Sequence, residues 1–119
     1  MVVAEKLRAI CQQMPEYRLI VRKNMAGRAR DFVDIFLMIK EFRINLSNPS
    51  VHVTLKRVFG AKRVPLNLLG EISAHREDHR LDFAAVAATV STEFDLEDFD
   101  FYVDHVIREC RQLESLWNV

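Results

Sequence analysis

The chain of 119 residues is half hydrophobic and 29% charged, with glycine and proline numbering three each. That balance favours a single packed domain, 1–119, over a disordered tail. Formal net charge is zero, yet residues 1–63 hold 13 Lys/Arg against 5 Asp/Glu, while residues 64–119 hold 4 against 12; such a split predicts either a polyanion-facing surface or two halves that pack on each other.

Along the chain, VAEKLRAICQQM reads as the first helix, because Val3, Leu7, Ile10 and Met14 recur every three or four positions and Pro15 stops the run. Lys6 lies on the other face. In the connector PEYRLIVRKNMAG, the stretch Tyr17–Val21 could also form a short strand. RARDFVDIFLMIKEF predicts a deeply buried helix, with Phe32, Ile35, Phe36, Ile39 and Phe42 at helical spacing and Val33, Leu37 and Met38 widening the apolar surface. NLSNPS is a break in which Ser47 or Asn48, ahead of Pro49, suits the start of the next helix, VHVTLKRVF, ending near Gly60. VPLNLL reads as a short helical turn, the alanine-rich LDFAAVAATVSTEF as a tightly packing helix, and DFDFYVDHVIRECRQLESLW as the last helix. Every strong element is helical, so the expected fold class is all-α, with about five helices in one domain.

Cys11 and Cys110 lie too far apart in sequence for a C-x-x-C pair and read as reduced thiols. No run approaches the roughly 20 apolar residues of a membrane span, and the first residues lack the pattern of a signal peptide, so a cytoplasmic protein without a membrane partner is expected.

Asp31 and Asp34 share one face of a helix, and Arg30 stands four positions before Asp34. Read locally, Asp31 complements the helix dipole and Asp34 pairs with Arg30. Asp98-Phe99-Asp100 has the spacing of a metal-binding carboxylate pair, but it opens a helical run where acids favour the positive end, so no metal site is assigned to it. His75 and His79, four apart in HREDH, lack a third ligand at a recognisable spacing and read as part of a solvated, charged helix edge. His52 and His105 read as ordinary surface or half-buried residues. Phe99, Phe101, Tyr102 and Trp117 read as core, while the basic stretch LKRVFGAKR, Leu55 to Arg63, is the better candidate for meeting nucleic-acid phosphates.

Three segments carry a family resemblance: EKLRAICQQ at Glu5–Gln13, RARDFVDIF at Arg28–Phe36, and DFDFYVDHVIRECRQLESLW at Asp98–Trp117. In order and spacing the chain resembles the C-terminal half of the abortive-infection nucleotidyltransferases, the AbiEii/AbiGii toxin family, over nearly its whole length. The resemblance implies a helical region that completes a nucleotidyl-transfer site whose Gly-Ser turn and Asp-x-Asp metal pair stand upstream. By that resemblance Lys6 would neutralise the triphosphate, and Asp31 would be the catalytic carboxylate, orienting Lys6 or assisting deprotonation of the acceptor. Arg28, Arg30 and Asp34 would support nucleotide or acceptor binding. Magnesium and a nucleoside triphosphate are implied for the complete enzyme, with none expected for this chain alone. The partners implied are an antitoxin protein and an RNA acceptor such as tRNA, or a protein acceptor.

Neither Gly27, Gly60 nor Gly70 is followed by serine, and nothing before Lys6 supplies the metal pair, so the chain is expected to be inactive by itself. A stand-alone helical interaction module, binding an antitoxin-like partner or forming a homo-oligomer through an apolar surface, is the rival expectation. An RNA-binding helical module is the third.

Overall fold

The computed structural model describes residues 2–17, 27–90 and 95–117. Its elements are α1 (Val2–Cys11), α2 (Ala29–Phe42), α3 (Pro49–Ala61), a 3-10 helix (Leu66–His75), α4 (Glu77–Val90), α5 (Phe99–Cys110), a 3-10 turn (Arg111–Leu113) and α6 (Glu114–Trp117). The fold is all-α, with no strand among the described residues. Helical segments outnumber the five expected because the last run breaks into three and VPLNLL grows into the 3-10 helix. Of the strand considered at Tyr17–Val21, Tyr17 is helical and the remainder lies outside the described residues.

α2 is the spine. Ala29, Phe32 and Val33 are completely buried, and the helix packs against α1, α4 and α5. Its apolar stripe is wide enough to meet three neighbours, which is what an element hydrophobic over most of its circumference requires. α1 inserts Val3, Ala4, Leu7 and Ile10 between α2 and α3. The two run antiparallel: Val2 and Val3 line an apolar cleft with Met38 and Phe42 at the far end of α2, while Lys6 reaches its beginning. Phe42, expected in the core, is 72% exposed: Ile39 in the same turn is buried, and Phe42 stands at the open rim of that cleft.

Asn48 caps α3 through a bond that its side chain accepts from the Ser50 amide at 2.9 Å, with Pro49 in the first turn. Asp98 caps α5 by accepting from the Phe101 amide at 2.9 Å, which agrees with its reading as a helix-start acid. Two helix ends are unusual. α2 and α3 are each followed by an arginine in the left-handed region, Arg43 at φ 51° and Arg63 at φ 55°. After α3, the Val64 amide donates to the Phe59 carbonyl at 3.0 Å and the Arg63 amide to the Gly60 carbonyl at 3.1 Å. That is the Schellman pattern, whose left-handed position ordinarily holds glycine, and a side chain there costs roughly 1 kcal/mol.

The alanine-rich helix packs on one side only: Val86 is buried, but Leu81 is 93% exposed and Ala84, Ala85 and Ala88 are also open. Cys11 and Cys110 bring α1 and α5 together in the core, both buried and unbonded to each other. Burial pushes the Cys110 thiol up to about 12, and burial, reinforced by Cys110, holds Cys11 well above its ordinary value. No described helix is long and apolar enough to cross a membrane.

Candidate functional site

Antiparallel packing of α1 on α2 carries Lys6 to the leading edge of α2, although 25 positions separate it from Asp31. The amine stands 3.2 Å from Asp31 Oδ1 and 3.0 Å from Asp34 Oδ2. Asp34 Oδ1 also accepts from Arg30 Nε at 3.0 Å. All five residues singled out in the sequence therefore come to one place, with Arg28 Nη1 approaching Asp31 Oδ2 at 3.5 Å. The local pairing of Asp34 with Arg30 is present too, but Asp34 spends its second oxygen on Lys6.

Burial works against the charge of Lys6, yet hydrogen bonds to Asp34 and Asp31 and the charges of both carboxylates outweigh it and hold the amine above its ordinary range. The cluster is incomplete in one respect. Asp31 Oδ2 and Arg28 Nε are buried and have no hydrogen-bond partner; their side chains meet only through the 3.5 Å ion contact, which lacks hydrogen-bond geometry. Buried polar atoms are nearly always satisfied, so these two are exceptions, as are Arg8 Nε and His105 Nδ1 elsewhere among the described residues.

The start of α2 is held from a distance. Its N-cap residue is Arg28, whose side chain makes no cap, so the first amides must find acceptors elsewhere. They find them on α4: the Arg28 amide donates to His79 Nδ1 at 2.9 Å and the Ala29 amide to Asp82 Oδ2 at 3.0 Å. Gly27 makes this possible, because a Cβ there would stand 2.5 Å from Asp82 Cβ. His79 is 2% exposed, with its ring against Phe32, and is not the solvated residue that HREDH suggests. Burial lowers its pKa despite the nearby Asp78 and Asp82, keeping the ring neutral and Nδ1 free to accept. His75 turns away, to Asp78 at 2.9 Å and Glu16 at 3.7 Å.

His79, Asp82 and Gly27 were missed by sequence reasoning. The signal available was negative: GRARD starts a strongly apolar helix without a Ser, Thr, Asn or Asp at the cap, which leaves a vacancy for a distant acceptor. Asp98-Phe99-Asp100 proves structural, for Asp98 is the cap of α5 and Asp100 accepts from Arg76 at 2.8 Å and Arg80 at 2.9 Å. Of the aromatics, Phe99 and Tyr102 are core, while Phe101 is 38% exposed. His52 is half-buried, bonded to the Leu46 carbonyl, whereas His105 is buried.

Residues 1–105 match the family described as nucleotidyl transferase AbiEii toxin, type IV toxin–antitoxin system. The chain belongs to this family. Every residue of the cluster on α1 and α2, and both distant caps on α4, fall inside the matched stretch. No curated protein and no solved structure matches the chain.

Proposed function

We propose that this AbiEii-family chain supplies the C-terminal side of a nucleotidyltransferase site, in which a nucleotide passes from a triphosphate to an RNA or protein acceptor. The observation that carries the reading is the convergence of Lys6 with Asp31, whose second oxygen is buried without a hydrogen bond and meets Arg28 Nη1 only at 3.5 Å. A triphosphate needs cations for charge spread over its phosphate oxygens, and an acceptor hydroxyl needs a carboxylate to take its proton. Lys6 and Arg28 offer the first, and Asp31 Oδ2 the second. Asp34, itself bonded by Arg30, holds the Lys6 amine from its other side. Magnesium, when bound in the complete enzyme, would screen the phosphates.

The sequence contains neither a Gly-Ser turn nor an Asp-x-Asp pair free of structural duty, so the chain is expected to bind triphosphate but not to transfer it. Incubation with each labelled triphosphate, magnesium and total RNA tests the second half: label transfer above that of Lys6→Ala and Asp31→Ala would overturn it. Titration of a fluorescent triphosphate tests the first. Binding that survives Lys6→Ala would remove the site.

A second reading, an interaction module for an antitoxin protein or for a homo-oligomer, is favoured by the open face of α4, where Leu81 is 93% exposed beside Ala84, Ala85 and Ala88. A Leu81→Lys variant that leaves mass by light scattering and antitoxin capture unchanged would exclude it.

A further inference from the structure

Among the described residues, little of the unequal charge of the two halves is matched by pairing between them. Among the described residues, one ion contact joins the halves, Glu16 with His75; the other pairs form within a half. Four of the cations of the first half stand near the end of α3. Lys56, Arg57, Lys62 and Arg63 are all exposed, none has an ion-pair partner among the described residues, and no carboxylate occurs between Glu41 and Glu71.

Within this surface two residues stand against local stability. Gly60 sits inside the last turn of α3, where alanine is the better helix former. Its φ is not positive, and a Cβ there would meet nothing within 4 Å, so neither backbone conformation nor packing asks for glycine. Three residues later Arg63 occupies the left-handed position at φ 55°, the one place where glycine would help. Glycine and arginine are each where the other would stabilise the fold, and such local violations concentrate at functional positions. Complementing the helix dipole accounts for cations at the C-terminal end, but not for Lys56 and Arg57 farther back, nor for Gly60.

We infer that the face of α3 formed by Lys56, Arg57 and Gly60, continued by Lys62 and Arg63, seats the phosphodiester backbone of a polynucleotide, with Gly60 the point of closest approach. Val53, Lys56, Arg57 and Gly60 follow one another at helical spacing and form a strip with cations flanking a gap. Without a Cβ, that gap lets a phosphate come against the helix backbone. An acidic protein is the weaker fit, since the only large apolar side chain on the strip is Val53 and interfaces depend on buried aromatic or aliphatic anchors. The inference rests on the transferase reading only in making the polynucleotide its acceptor; the cations themselves lie outside the Lys6 and Asp31 cluster.

The test is anisotropy with the full chain and one short sequence labelled as single-stranded RNA, RNA hairpin and DNA duplex. With four phosphates neutralised, affinity for all three should fall roughly 50- to 150-fold between about 50 and 200 mM salt. Lys56→Gln with Arg57→Gln should weaken every form and cut the salt slope by about half. The decisive variants are Gly60→Ala and Arg63→Gly, expected to raise Tm and yet weaken binding, while Arg43→Gly at the end of α2 raises Tm and leaves binding unchanged. No binding at the lower salt, wild-type binding by Gly60→Ala, or preference for a labelled polyglutamate over all three nucleic acids would overturn the inference, the last in favour of an acidic protein. Triphosphate titration is read separately, so its failure would remove the transferase reading and leave this one standing.

Discussion

Two charge clusters of similar composition show how differently the same chemistry can be used. On the surface between α4 and α5, Arg76 bonds Asp100 at 2.8 Å and Asp104 at 2.6 Å, and Arg80 bonds Asp100 at 2.9 Å and also Glu77. Every group there has a partner. Between α1 and α2, Lys6, Asp31 and Asp34 are less exposed, yet Asp31 keeps one buried oxygen open. The surface cluster is complete and screened by water; the inner one is sheltered and unfinished. Stability is the sufficient explanation of the first, whereas in the second Asp31 Oδ2 has only the 3.5 Å ion contact with Arg28 and no hydrogen bond.

The sharpest way to break this contrast is Lys6→Met. It removes the cation that joins the two carboxylates, one of them with only 10% of its side chain exposed, leaving them to Arg28 and Arg30, and should cost about 2–3 kcal/mol in urea melts. A loss below about 0.5 kcal/mol would show the inner cluster to be as solvated as the outer one. Next is Asp82→Ala, which removes the distant cap of α2 and should cost about 1 kcal/mol; it should also loosen Asp31, lowering the Lys6 pKa in a side-chain NMR titration. An unmoved Lys6 would show that the cap serves the fold alone.

Acid supplies a graded test. Burial lowers the pKa of His79 in the folded protein, so below about pH 6.5 the unfolded chain takes up the proton first. Stability is therefore complete above that value and declines as the pH falls toward the folded-state pKa, where protonated Nδ1 can no longer accept from Arg28. His105, also lowered by burial and by Arg108, slopes in the same direction. The His79 share is what disappears in His79→Asn, whose amide oxygen can replace Nδ1 at any pH; an unchanged slope would remove His79 from the account. The smallest effect belongs to the outer cluster, where Arg76→Met should cost under about 1 kcal/mol and less as salt rises.

What the sequence made legible followed from periodicity. The spacing of Leu7, Ile10, Phe32 and Ile35 required α1 to lie along α2, and that was enough to bring Lys6 to Asp31. Periodicity alone could not show how much of a helix its neighbours cover, so Phe42 read as core and is exposed, and the helix expected to pack tightly leaves Leu81 in solvent. Nor could it locate His79 and Asp82, which stand 51 and 53 positions from the amides they cap. Nothing local links them; only the packing of α4 on α2 does. The exchange of Gly60 and Arg63 was visible as letters but carried no meaning until their backbone angles and surroundings were known.

The two buried thiols give the chain an internal reporter. Cys11 comes from the first helix and Cys110 from α5, so one packed region closes the molecule from both ends of its sequence. A thiol held far from ionisation is nearly inert to alkylation, and labelling must await an excursion that parts these helices. Mass spectra taken through such a reaction would contain unmodified and doubly modified chains with few single adducts if the two ends open as one cooperative unit, and a ladder through the single adduct if α1 peels away alone.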